Sequence, residues 1–257
     1  MRCTTDDGVD IAYDRAGAGP AIVFVHGLTD SRADWRPVVE RLAADFTCVT
    51  LDLRAHGESG DAPDYSALAM TADVAAVVQA EDLSEPAVIG HSLGGAVVTA
   101  YASEAPVAAV INVDQSMRFS DLAAQVRSLE PALRGDSFGE TIGMILESMV
   151  GPMADPDLRA ELAAHRARAR QDIVLGVWGL LFSAPDEVLD GLADTFGATI
   201  SAPYLALHGL DPGPRYVEWL QARIPQAVVE VWPEHGHWVH LVAPDRFCAR
   251  VRELVGP

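Results

Sequence analysis

Short apolar runs recur along the chain and alternate with stretches of helical periodicity. The runs at 21–25, 47–51, 87–89, 107–113, 203–207 and 227–232 are predominantly apolar. Such runs are typical of strands buried on both faces of a parallel sheet. Residues 4–13 predict a hairpin that turns near Asp7 and Gly8. The alternation of strands and helices therefore predicts an α/β fold with a mostly parallel central sheet flanked by helices.

The alternation stops between about residues 117 and 199. Helix-forming segments fill this interval, at 122–129, 141–150, 157–170, 172–182 and 186–194, and four prolines punctuate it: Pro131, Pro152, Pro156 and Pro185. We expect the α/β core to comprise residues 1–116 and 199–257. Residues 117–198 are expected to form an inserted helical cap that folds over the edge of the sheet.

Composition narrows the set of partners. The 257 residues are 49% hydrophobic, which suffices for one large domain, and the net charge is −19 with no lysine. Such a surface repels nucleic acid and anionic membranes. Three scattered cysteines predict no disulfide framework, and neither an apolar leader nor a long apolar run is present. We expect a cytoplasmic protein without nucleic-acid or membrane partners. The sequence leaves open whether it forms a homodimer.

The segment Gly90-His91-Ser92-Leu93-Gly94 carries the chemistry. It follows an apolar strand and precedes a helical stretch, which is the setting of a G-x-S-x-G nucleophile elbow. The flanking glycines let strand and helix backbones approach closely, where a Cβ would clash. Ser92 is therefore the predicted nucleophile. The backbone N–H of Leu93, at the helix start, is a predicted oxyanion donor.

Two further loops supply candidate partners for the serine. The His-Gly-Leu loop at 26–28 follows a buried strand, and the N–H of Leu28 is the predicted second oxyanion donor. His237 lies in a late loop before an aromatic and apolar run, and we expect it to be the general base. His235 is interpreted as a surface residue and His240 as a helix-start residue. A zinc site at these histidines is not expected, because the neighbouring residues do not supply a full set of cysteine or carboxylate ligands to complete it.

Together these segments resemble the α/β-hydrolase superfamily, in the single-domain branch with a helical cap. The resemblance spans nearly the whole chain and includes the turn 52–59, where Asp52 and Arg54 could pair. Ala55 and Val242 stand where the family frequently has other residues. These two differences affect the choice of subfamily and do not affect the expected fold. The resemblance implies a serine hydrolase that forms an acyl-enzyme and needs neither cofactor nor metal. An aspartate-nucleophile enzyme is disfavoured because the elbow carries Ser92.

The acid of the triad has two candidates. The resemblance places it after a late strand, which here is followed by the loop 210–214, and Asp211 is the expected residue. Asp211 stands two residues past Gly209, where the family usually has three. Asp114, at the end of the strand 107–113, is the alternative. The order Ser92, Asp211, His237 agrees with the order expected for this fold.

An apolar pocket is expected between cap and elbow. Its candidate lining residues are Trp35, Met144, Met149, Trp178, Phe182 and Trp238. Such a pocket suits an apolar acyl substrate, and the predicted reaction is cleavage of a carboxylic ester, lactone or thioester. One alternative uses the same residues for acyl transfer, C–C bond hydrolysis, or cofactor-free lyase or oxidative chemistry. A second alternative is a ligand-binding protein with low turnover.

Overall fold

Eight strands form the centre of the protein in a computed structural model that describes residues 1–256, apart from the side chain of residue 166. The strands are β1 (Arg2–Thr4), β2 (Asp10–Ala16), β3 (Ala21–Val25), β4 (Thr47–Leu51), β5 (Ala87–His91), β6 (Val110–Val113), β7 (Tyr204–His208) and β8 (Ala227–Val231). Their order across the sheet is β1-β2-β4-β3-β5-β6-β7-β8. The first two strands pair antiparallel, and the six from β4 to β8 pair parallel. The predicted mostly parallel sheet is confirmed.

The apolar composition of the central strands matches their burial. Every residue of β4, β5, β6 and β7 is buried, because helices cover both faces of the sheet at these strands. The hairpin near Gly8 is present, with Cys3 opposite Ile11 in the antiparallel pair. Parallel strands place their carboxyl ends at one edge of the sheet. The loops that follow β3, β5, β6 and β7 therefore meet there.

Six helices belong to the layers around the sheet. They are α1 (Arg36–Leu42), α2 (Thr71–Ala80), α3 (Leu93–Glu104), α10 (Tyr216–Gln221), α11 (Val239–Val242) and α12 (Pro244–Val255). On one face, α1 and α12 pack against each other and bury Leu42 and Phe247. On the other face, α2 and α3 enclose Val74 and Val97. The sheet thus has two hydrophobic cores, one on each face.

Six more helices lie between β6 and β7: α4 (Phe119–Arg134), α5 (Phe138–Ser148), α6 (Pro156–His165), α7 (Gln171–Val177), α8 (Gly179–Ser183) and α9 (Asp186–Gly197). We call residues 119–197 the helical insertion. Pro131 lies inside α4 and does not end it, although its missing N–H removes one backbone hydrogen bond of the helix. That the insertion forms a cap with boundaries 117–198 stays a prediction. Within residues 1–256, no helix combines the length and hydropathy needed to cross a bilayer.

The charged residues of the turn after β4 form ion pairs with other parts of the chain. Asp52 and Arg54 do not pair with each other. Arg54 is fully buried and its NH2 group lies 2.7 Å from Oδ1 of Asp73, which is equally buried on α2. Asp52 instead contacts the guanidinium of Arg32. The turn is therefore tied to α2 on one side and to the loop after β3 on the other.

Candidate active site

Ser92 occupies the single residue between β5 and α3. Its backbone has φ 51° and ψ −122°, a conformation that non-glycine residues rarely adopt. Gly90 and Gly94 face backbone carbonyl groups so closely that a Cβ at either position would collide with them. The turn is thus as tight as the sequence predicts, and the half-buried Ser92 holds a strained backbone conformation at the point where the strand becomes a helix.

His237 is held by the carboxylate of Asp114. The Nδ1–H of His237 donates to Oδ2 of Asp114 over 2.6 Å. Oδ1 of Asp114 accepts the backbone N–H groups of Gly209, at 2.7 Å, and Leu210, at 3.1 Å. Burial opposes ionisation of Asp114, but contacts with His208 and His237 outweigh burial and hold its pKa well below the ordinary value. The arrangement keeps a carboxylate fixed against one nitrogen of the imidazole.

The expectation that Asp211 orients the histidine is wrong. Asp211 is exposed, and its Oδ1 accepts the N–H of Gly213 at 2.9 Å, which closes a turn within its own loop. Asp114 directly follows β6, so its side chain begins at the edge of the sheet where His237 lies. The alternative residue therefore has the geometry of the triad acid.

The other two histidines of the late cluster are buried without facing the cavity. His240 lies between the rings of Trp35, at 4.4 Å, and His91, at 4.7 Å between centroids. His235 is 7% exposed, so its interpretation as a surface residue is wrong. Its Nδ1–H donates to the backbone oxygen of Pro233 over 2.9 Å. Of the three, only His237 lines the cavity that Ser92 also lines.

The two predicted oxyanion donors flank the serine. Leu28 follows β3, Leu93 begins α3, and both line the cavity beside Ser92. Within residues 1–256, neither backbone N–H group donates a hydrogen bond to another protein atom. A Cβ at Gly27 would come within 3.1 Å of the Cβ of Ser92, so this loop runs directly against the elbow. Both amides are available to a ligand oxygen, and their oxyanion role stays a prediction.

A cavity of about 800 Å³ extends from Ser92 and His237 into the helical insertion. Its walls are mainly aliphatic and aromatic side chains from α4, α5, α8 and α9, among them Leu122, Val126, Leu146, Leu181, Leu189 and Phe196. Among the described side chains, no arginine lines the cavity, whereas Asp121 and Asp211 do. The cavity therefore suits an apolar group without a negative charge.

Three of the predicted lining residues face this cavity: Met149, Trp178 and Trp238. The other three do not. Trp35 packs in the core against Phe24, with ring centroids 5.1 Å apart. Met144 lies on the outer face of α5 and is 58% exposed. Phe182 packs edge-on against Trp178 and beneath the guanidinium of Arg134. These three expectations are wrong because apolar composition does not distinguish a cavity wall from core or surface.

Sequence reasoning missed a buried polar group behind the loop after β3. Asp30 contacts His91 through Oδ2, at 3.0 Å, and His165 of the insertion through Oδ1, at 2.7 Å. The second nitrogen of His165 lies 3.4 Å from Oδ1 of Asp34. The only sequence signal was a pair of acids close behind a strand and a single histidine in the insertion. Nothing in their spacing indicates that they meet.

Residues 22–250 match the sequence model of the alpha/beta hydrolase family. The chain belongs to this family. The eight-stranded sheet, the elbow and the late histidine loop are consistent with that assignment. It confirms the resemblance inferred from the motifs and the fold class inferred from the apolar runs.

Individual relatives differ in how much of the chain they match. An uncharacterized protein of Mycobacterium bovis is 38% identical over 108 residues, which is 41% of this chain but only 31% of that protein. A pimeloyl-[acyl-carrier protein] methyl ester esterase of Vibrio parahaemolyticus is 29% identical over 95% of this chain and 98% of its own length. The structure of a thermophilic esterase from Thermogutta terrifontis superimposes with a TM-score of 0.80, at 24% identity, over 98% and 96% of the two chains.

Proposed function

We propose that the protein is a serine hydrolase that cleaves an uncharged carboxylic ester, lactone or thioester with an apolar acyl group. One observation carries this proposal. His237 is anchored by Asp114 at 2.6 Å and faces the same cavity as Ser92, which stands on a strained strand-to-helix turn. A nucleophile, a base and an orienting acid thus converge at one cavity, which is the arrangement required for acyl transfer through a serine.

The proposed first step is the attack of Ser92 Oγ on the carbonyl carbon of the substrate. Nε2 of His237 takes the hydroxyl proton, and the negative charge that develops on the carbonyl oxygen accepts the N–H groups of Leu28 and Leu93. Asp114 holds the Nδ1–H tautomer of His237 and stabilises the imidazolium. The bond from the carbonyl carbon to the leaving group then breaks, and the imidazolium returns its proton to the leaving oxygen or sulfur.

The second step reverses these roles with water. His237 takes a proton from a water molecule, the hydroxide attacks the acyl carbon, and the resulting tetrahedral species collapses. The acid is released and the proton returns to Ser92 Oγ. No step requires a metal or an organic cofactor. We propose that the helical insertion acts as the cap that keeps bulk water from the acyl group during the first step.

Charge and lining support the substrate class. The described cavity walls are mainly apolar, and the titratable side chains that line them, apart from histidines, are acidic, including Asp121 and Asp211. A carboxylate or phosphate on the substrate would be repelled there. A relative of matching length is a methyl ester esterase, which is consistent with ester cleavage by this chain.

Labelling with a fluorophosphonate, followed by peptide mapping, tests the proposal. We expect a single adduct on Ser92, hydrolysis of medium-chain p-nitrophenyl esters, and loss of both in the matched variant Ser92→Ala. Added alcohols or amines would divert the acyl group if the protein were a transferase instead. A protein that binds the esters but shows no adduct and no product contradicts the proposal.

We also propose that the enzyme works in the cytoplasm without nucleic-acid or membrane partners. The free thiols Cys3, Cys48 and Cys248 support a reducing compartment. Burial raises the pKa of Cys48 to about 12 and that of Cys248 to about 11, so both stay protonated and unreactive. The net charge of −19 opposes binding to anionic polymers. Cell fractionation would test the location, and light scattering would show whether a homodimer forms.

A further inference from the structure

A chain of buried polar side chains connects the helical insertion to the elbow. It runs from His165, at the end of α6, through Asp30 to His91, the residue before the serine. Each of these three side chains is at most 2% exposed. Burying charged groups costs free energy, so such a series of side chains persists only where opposite charges lie close together, as Asp30 and His165 do at 2.7 Å.

Asp30 is the branching point of this chain. It stands two residues after Leu28, within the loop that carries a proposed oxyanion donor, and its N–H donates to the carbonyl of Gly27 over 3.1 Å. One carboxylate oxygen contacts His91 and the other contacts His165. A single side chain therefore ties the oxyanion loop, the elbow and the insertion together.

His91 extends the connection to the base. Its Nε2 lies 3.1 Å from the backbone oxygen of His237, and the two imidazole rings are 4.6 Å apart. This contact places His91 against the backbone of His237 on one side, while Asp114 holds the ring of His237 on the other. A shift of Asp30 would be transmitted through His91 to the position of the base.

The charged groups around His165 balance one another. Burial disfavours the imidazolium of His165, but its contacts with Asp30 and Asp34 outweigh burial and raise its pKa to about 9. Arg168 adds a second cation 3.0 Å from Asp34. Two carboxylates thus face two cations. The side chains of Asp30, Asp34 and His165 also lie close enough to share a metal ion, but the guanidinium beside Asp34 favours the ion pairs.

We propose that Asp30 is a positioning residue that couples the closed position of the insertion, through His165, to the oxyanion loop and the base. The proposal rests on the proposed serine hydrolase function. When His165 contacts Asp30, the carboxylate holds His91, and His91 holds the backbone of His237 in place for proton transfer. When the insertion moves away, Asp30 loses its cationic partner and the catalytic groups lose their alignment.

The test compares Asp30→Asn and His165→Gln with the control Asp186→Asn, which breaks an exposed ion pair to Arg127 within the insertion. We expect Asp30→Asn to lower kcat by about 100-fold with KM little changed, because small misplacements of catalytic groups cost about that much. His165→Gln should lower kcat by about tenfold, and Asp186→Asn should match the wild type. The double variant should be no worse than Asp30→Asn, because both changes break one connection.

A pH profile provides a readout that a merely structural role would not move. The titratable and charged groups around His165 are Asp30, Asp34, His91, Arg168 and His240. Because the pKa of His165 is raised to about 9, its cationic form is present below that pH and is lost above it. The wild-type kcat should therefore decline as pH rises through 9. In His165→Gln that decline should be absent, with kcat uniformly low.

Several outcomes would overturn the coupling. They are an unchanged kcat in either variant, additive losses in the double variant, or the same alkaline decline in His165→Gln. A stoichiometric divalent ion, found by elemental analysis and lost in His165→Gln, would replace the ion-pair interpretation with a metal site. If Asp30→Asn does not fold, the kcat and the pH profile of His165→Gln still test the coupling. Fluorophosphonate labelling of Ser92 in the wild type distinguishes the two proposals. If Ser92 is labelled but the variants behave as above, the coupling is wrong and the hydrolase function stands.

Discussion

The imidazole of His237 and the carboxylate of Asp114 meet at 2.6 Å, although 123 residues separate them in the chain. The contact joins the loop after β8 to the first residue after β6. It also decides between two acids that both follow buried strands. The carboxylate that contacts His237 follows the strand next to the elbow strand in the sheet, and does not come from the late loop.

The first prediction concerns this acid. Asp114→Asn should lower kcat by about ten-thousand-fold, because an amide does not enforce the tautomer of His237 or stabilise its cation. Asp211→Asn is the matched control and should change kcat by less than about twofold, since its carboxylate bonds only within its own turn. Steady-state hydrolysis of a p-nitrophenyl ester measures both. A large loss in the Asp211 variant alone would restore the original expectation.

The second prediction concerns the strain at the elbow. Ser92→Gly should abolish turnover and yet stabilise the fold by about 1 kcal/mol, because glycine adopts a positive φ without the penalty that serine incurs. Ser92→Ala removes the same hydroxyl but keeps the Cβ, so its stability should stay near that of the wild type. Urea unfolding followed by circular dichroism compares the three proteins. Equal stability of the glycine and alanine variants would show that the turn stores no strain.

The third prediction concerns the buried ion pair beneath the turn after β4. Arg54→Met should destabilise the protein by about 3–5 kcal/mol, because it leaves the fully buried carboxylate of Asp73 without its partner. Arg170→Met is the control: its ion pairs with Asp61 and Asp172 are exposed and should contribute under about 1 kcal/mol. Thermal melting and urea unfolding at pH 7 measure both losses. Similar losses in the two variants would contradict the role of burial.

The fourth prediction concerns acid stability. Burial, together with the neighbouring His26, lowers the pKa of His56 to about 4. The unfolded chain therefore takes up this proton at a higher pH than the folded protein does. Stability contributed by His56 is present above about pH 6.5 and is lost as pH falls toward 4, by about 3 kcal/mol in total.

Urea unfolding of the wild type and His56→Gln at pH 7 and pH 4.5 checks this sign and size. The wild type should lose more stability than the variant between these two values of pH. The difference should reflect one protonation, since glutamine does not titrate. A variant whose stability falls as steeply as that of the wild type would assign the acid sensitivity to other groups.

The local parts of the fold could be predicted from the sequence because local physics decides them. Continuous apolar runs such as 87–89 have no favourable place except a sheet covered on both faces. Gly90 and Gly94 around Ser92 permit a turn that other residues would block. The choice of Ser92, His237 and the amide of Leu93 as candidate site groups follows from such local requirements, and so does the family.

The residues that depend on distant contacts could not be predicted in the same way. Asp114 and Asp211 both follow strands, and only the closure of the loop at 210–214 on itself removes Asp211 from the base. Trp35 and Trp178 are equally apolar, yet one packs in the core and the other lines the cavity.

The chain by itself determined which elements form and which side chain is the candidate nucleophile, because propensity, burial and turn sterics act over a few residues. Tertiary structure alone decided which carboxylate meets His237 and that His165 of the insertion meets Asp30 behind the elbow. Those contacts depend on how packed layers bring together segments that are far apart in sequence. The local pattern of residues along the chain does not show which distant segments come into contact.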